Sequence, residues 1–137
     1  LIVAGRNVFA RPIGQYVVAE VLKLVGIRGK SIEDAIDTIM SNISMDIDQA
    51  PWVGVIWNSS TQRIMGGKAE RGLITSMISH ALGLRINIKV RELKQKYRDT
   101  IENPKANLLS PISWTGSTVS TLSENEEQDT TAEDENE

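Results

Sequence analysis

The chain contains no cysteine in 137 residues, which excludes disulfides and thiolate metal sites and fits a cytoplasmic protein. It contains one histidine, His80, so no second imidazole lies at helical spacing to share a metal. Aromatic residues are scarce at 4%, with three Trp, two Tyr and one Phe. The lack of aromatic interleaving among the bases of the last helix, where Tyr97 belongs to the apolar seam, argues against a platform on which single-stranded bases stack. No apolar run approaches the roughly eighteen residues of a membrane span, and "LIVAG" at the start lacks the basic flank and length of a signal peptide. No membrane partner and no cofactor is therefore expected. No Ser/His/Asp or Cys/His set can be assembled, so no catalytic residue is assigned in this chain.

What is present is a segregated charge. The formal net charge is −3, yet eight acids fall between Ser123 and Glu137 without a single base. The other 10 of the 18 acids face 15 bases over residues 1–122, so the body carries +5. A tail this polar cannot offset its ordering entropy, and residues 123–137 are expected to be disordered. Such a tail reads as a solubilising terminus, or as a polyanion competing with nucleic acid for the basic body.

Helical periodicity dominates that body. "RPIGQYVVAEVLKLVG" places Pro12 in a first turn and Gly26 where a helix can end, with Ile13, Val17, Val21, Leu24 and Val25 at helical spacing. In "SIEDAIDTIMSNI", Ser31 is the expected N-cap. The apolar stripe there is Ile32, Ala35, Ile36, Ile39, Met40 and Ile43. "AERGLITSMISHALG" continues the pattern and ends at Gly83, and Asn87 is placed to cap a last helix that stops before Pro104. Val90, Leu93, Tyr97 and Ile101 form the seam of that helix. Between the second and third helices, "PWVGVIWNSSTQRIM" reads as a short strand, a polar turn and a returning strand. In a regular strand Trp52 and Trp57 would point to opposite faces, which leaves open whether they fill the core or meet a partner. The expected fold is mainly α: a helical bundle with one short β-hairpin or extended segment. Its helical domain spans 1–103, an irregular connector spans 104–122 with Trp114 pinned back onto the body, and the acidic tail follows. Leu1 is not a methionine and "LIVAG" reads as the middle of an element. The chain is therefore expected to be part of a longer protein.

The last helix carries the strongest functional signal. Arg85, Lys89, Arg91, Lys94, Lys96 and Arg98 face only Glu92 over fourteen residues. Arg91, Lys94 and Arg98 fall at i, i+3 and i+7 and share one face, away from the seam. Such a row can lie along phosphates and gain affinity by counterion release, or it can simply solvate a surface. Other candidates are weaker. "GGK" before a helix suggests a phosphate cradle with Lys68. It lacks the first glycine of a P-loop, and Ala69 stands where that loop has Ser or Thr, so a hinge is the simpler reading. His80, among Ile78, Ala81 and Leu82, reads as a packed or edge residue. Asp46 and Asp48 lack a partner set and are assigned neither metal nor acid/base work.

"PWVGVIWNSSTQRIMGGKAERGL…ISHALGL" resembles the C-terminal part of DNA sulfur modification DndB and DGQHR-domain proteins. Trp52, Trp57, Gly67, Lys68, Leu82, Gly83 and Leu84 carry the match, and "RPIGQ" is similar to the start of the preceding helix in that family. The resemblance spans residues 8–103; the family's "DGQHR" string is absent, so no role attached to it is carried over. The resemblance implies a DNA-associated regulatory or accessory module of a phosphorothioation system, of the kind that acts as a DNA-binding regulator of the modification genes. The expected DNA contacts are Lys68, Lys89, Arg91, Lys94, Lys96 and Arg98, all to phosphates. An alternative is a helical scaffold packing on an N-terminal ParB-like domain upstream, with self-association as a homo-oligomer. A third is an enzyme whose catalytic residues lie upstream.

Overall fold

A computed structural model describes residues 5–115. Four helices form the body: α1 (Pro12–Ile27), α2 (Ile32–Asn42), α3 (Lys68–Ala81) and α4 (Val90–Ile101). A two-residue antiparallel hairpin joins β1 (Trp57–Asn58) to β2 (Arg63–Ile64), with Trp57 opposite Ile64. The mainly helical architecture with one short hairpin is thus present. The acidic stretch 123–137 lies outside the described residues. Among the described residues no helix is long and apolar enough to cross a membrane.

Local chemistry explains most element ends. Pro12 opens α1, where its missing N–H costs nothing. The Ser31 hydroxyl accepts from the Asp34 amide (3.1 Å) and starts α2. The Gly67 amide donates to the Glu70 carboxylate (2.7 Å) at the start of α3. α1 does not stop at Gly26. It runs on to Ile27 because the left-handed residue that ends it is Gly29 (φ 73°). The Gly29 and Lys30 amides then donate to the Gly26 and Val25 carbonyls. α3 ends the same way at Gly83, whose amide and that of Leu84 satisfy His80 and Ser79. Asn87 does not cap α4. The helix begins at Val90 after Lys89, without a side-chain cap.

α1 is the central helix, packed against α2 on one side and α3 on the other, and α4 packs on α3. Val17, Val21 and Val25 of α1 meet Ile39 of α2, Ile74 and Ile78 of α3, and Leu93 of α4 in one core. Because α2 packs mainly on α1, the middle of its stripe is covered and the ends are not. Ile32 and Met40, both expected inside, are 44% and 45% exposed.

The 51–56 stretch differs from the strand expected of it. The Val53 amide donates to Gln49, and those of Val55 and Ile56 both donate to Trp52, so the chain winds in turns before it extends at Trp57. Strand alternation therefore does not apply, and both tryptophans turn inward, with Trp52 0% and Trp57 2% exposed. They are core, not display. Residues 104–115 also pack: the Ile112 amide donates to Ala81 (2.8 Å) and Trp114 Nε1 donates to Leu82 (2.9 Å). The Trp114 pin is thus present, and it closes the α3 end of the body.

Candidate nucleic-acid interface

The exposed face of α4 brings together three of the six expected contact residues. Arg91, Lys94 and Arg98 line one open hollow of about 340 Å³ with Val90 and Gln95. Leu93 and Tyr97, on the adjoining face, are buried and anchor the helix. Seven residues of rise separate Arg91 from Arg98, about 10 Å of helix. Among the described residues, no carboxylate forms an ion pair with any base of α4. Asp99, the nearest candidate, accepts instead from the Gln95 amide (2.8 Å).

The three are not equivalent. Arg98 Nε donates to the Ala106 carbonyl (2.7 Å), which ties the guanidinium to the chain leaving α4. Arg91 is exposed and Lys94 half-exposed. Lys89 precedes the first turn of α4 and is exposed. Lys96 lines a different hollow, between α3 and α4, which also holds Glu70 and Asp99. Lys68 lines a third, with Tyr16 and Glu20 of α1. The last two bases therefore sit beside acids and away from the Arg91–Lys94–Arg98 row.

The weaker motifs resolve into structure. At "GGK" the amide a phosphate would need is already taken by Glu70, and this bond holds the Glu70 carboxyl below its usual range. Asp46 and Asp48 do have a partner, Arg6, forty residues upstream of the first. Arg6 Nη2 and Nε meet the two Asp46 oxygens at 2.8 and 3.1 Å, and Asp48 lies 3.6 Å from Nη2. The Arg6 hydrogen bond lowers the Asp46 pKa, and the cluster fastens the segment before α1 to the segment after α2. Among the described residues no group of three His, Asp or Glu side chains could hold a metal ion.

Comparison of the chain with protein-family models, curated proteins and solved structures returns no match. The likeness to DndB and DGQHR-domain proteins rests on the residues quoted for it.

His80 is half-buried on α3, and burial lowers its pKa from the usual 6.5. The folded chain thus takes up a proton less readily than the unfolded chain, whose histidine titrates normally. Stability from this residue is complete above pH 6.5 and falls as pH drops below it, because the unfolded state then binds more protons. Asp46 acts in the same direction in a lower window, losing its contribution as pH falls below its ordinary 3.8. Urea midpoints measured from about pH 7.5 to about 5.5 should decline in the natural chain and stay flatter in His80→Gln. Equal slopes would show that His80 carries no such coupling.

Proposed function

We propose that the chain is a DNA-associated module that grips backbone phosphates through the Arg91–Lys94–Arg98 face of α4, as an accessory or regulatory part of a DNA phosphorothioation system. The observation that supports this most is that row of bases without a carboxylate partner among the described residues, lining one open hollow, in a body carrying +5. The likeness to DndB and DGQHR-domain proteins is what favours DNA among polyanions. Contacts of this kind position a protein on the duplex and read no sequence.

The test is fluorescence anisotropy of the full chain on a short DNA duplex across a salt series. Arg91→Glu/Lys94→Glu is the informative variant, because Arg98 also holds Ala106 and its loss would disturb the fold. Binding should weaken steeply with salt. The double variant should lose at least about tenfold in affinity and flatten the log–log salt slope by about two. Lys68→Glu and Lys96→Glu should change binding much less. Absence of binding at low salt would overturn the proposal.

A second reading, a helical module docking on a partner domain or on another copy, has one observation in its favour. Ile27 is 72% exposed and Ile32 44%, on either side of the α1–α2 turn. Concentration-dependent sedimentation abolished by Ile27→Lys would favour it.

A further inference from the structure

A second cationic surface lies away from the α4 row. Between the C-terminal turns of α1 and α3 and the 85–87 segment is an open hollow of about 280 Å³. Lys23, Arg28 and Arg85 converge on it, against one carboxylate, Glu20, which sits 4.0 Å from Lys23. Arg28 Nη2 donates to the Arg85 carbonyl (3.1 Å), so one guanidinium is held in place, while the exposed side chain of Arg85 makes no hydrogen bond or ion pair among the described residues.

Cations at helix C-termini often serve only to satisfy terminal carbonyls. That explanation is weak here. The amides of Gly29, Lys30, Gly83 and Leu84 already donate to the carbonyls of Gly26, Val25, His80 and Ser79. A second observation is independent of charge. Ser79, on the wall of the same hollow, is 1% exposed, and among the described residues its Oγ has no hydrogen-bond partner. A buried serine on a helix normally turns its hydroxyl to the carbonyl four residues back. Ser79 makes no such bond, and an unpaired buried hydroxyl is costly enough to want an acceptor. Leu24, Ile27 and Ile86 add an apolar side to the hollow.

We propose that this hollow binds a phosphomonoester. Arg28 and Arg85 engage the phosphate, the buried Ser79 hydroxyl turns about χ1 toward the hollow and donates to one of its oxygens, and a small organic body rests on Leu24, Ile27 and Ile86. The volume lies at the lower end for small-molecule sites, which suits a mononucleotide-sized ligand and leaves much space unfilled around bare phosphate. The ester can come from a free small molecule or from the phosphorylated end of a strand.

The experiment is an amide NMR titration of the full chain with adenosine 5′-monophosphate, adenosine and inorganic phosphate. The monophosphate should saturate and shift amides around Arg28, Ser79 and Arg85; adenosine should not, and phosphate should bind more weakly. Arg85→Ala keeps the backbone carbonyl that Arg28 uses, and should weaken binding at least tenfold. Ser79→Ala should weaken it severalfold while leaving the melting temperature unchanged or raised, the opposite of what a structural serine would do. A 5′-phosphorylated strand is compared with its unphosphorylated form in the Arg91→Glu/Lys94→Glu background, so failure of the α4 reading leaves this test intact. A preference for the phosphorylated strand over the monophosphate would assign the ester to nucleic-acid ends. Equal response to adenosine and its monophosphate, or an Arg85→Ala variant that binds normally, would overturn the proposal.

Discussion

Trp52→Ala is expected to destabilise the protein by about 3–5 kcal/mol, a large part of the roughly 5–15 kcal/mol that holds an ordinary domain folded. Trp52 is fully buried, and its Nε1 donates to the Ser44 carbonyl at 2.6 Å. Truncation removes the largest fully buried side chain and also leaves that carbonyl without its donor. Both losses fall on the turn-wound segment that carries Val55 and Ile56 into the core. Urea denaturation of the full chain checks this, with Trp52→Phe as the intermediate case: the ring is retained in part, the hydrogen bond is lost, and about 1–3 kcal/mol should go. Met40→Ala and Ile32→Ala provide the contrast. Both residues belong to an apolar stripe in the sequence but are nearly half exposed, and each should cost about 0.5 kcal/mol or less. Near-equal effects of Trp52→Ala and Met40→Ala would mean that the tryptophan is not core.

The features legible from sequence are those written within a few residues of each other. Pro12, the Ser31 cap, the Gly83 terminator and the α4 seam are all local, and each appears where its chemistry places it. So is the i, i+3, i+7 row of α4. What periodicity does not encode is which part of an apolar face finds a neighbour, hence Ile32 and Met40. Nor does an apolar run encode its backbone. "WVGVIW" is buried as its composition demands, yet it winds in turns. Gly54 sits where a side chain's first carbon would come within 2.8 Å of Ile101, so the loop is shaped by its approach to α4. Pairings distant in the chain were invisible for the same reason. Arg6 reaches Asp46 across forty positions and Arg28 reaches Arg85 across fifty-seven, so neither the Arg6 cluster nor the second cationic hollow could be read from spacing.

Gly14→Ala reverses the sign that helix propensity assigns to it. In an exposed helix interior, Gly→Ala stabilises by about 0.5–1 kcal/mol because alanine restricts the unfolded chain more. At Gly14 the added carbon would overlap the Val8 carbonyl oxygen and lie 2.7 Å from a Val8 methyl. Val8 cannot retreat cheaply. Its amide donates to Met45 (2.7 Å), its carbonyl accepts from Arg11 (3.1 Å), and its side chain is fully buried. Relief requires α1 to lift from the 8–10 turn, or the turn to pull away from the segment fastened by Arg6 and Asp46. Either movement opens the core at Val8 and Val17. The overlap should outweigh the propensity gain and leave a net loss of about 2–3 kcal/mol. Gly72, also helical, has nothing within 4 Å of the equivalent position, so Gly72→Ala should raise stability by about 0.5–1 kcal/mol. Urea midpoints moving in opposite directions for the two alanines would show that Val8 closes the N-terminal end of α1. Parallel gains would place Gly14 in open space and contradict that packing.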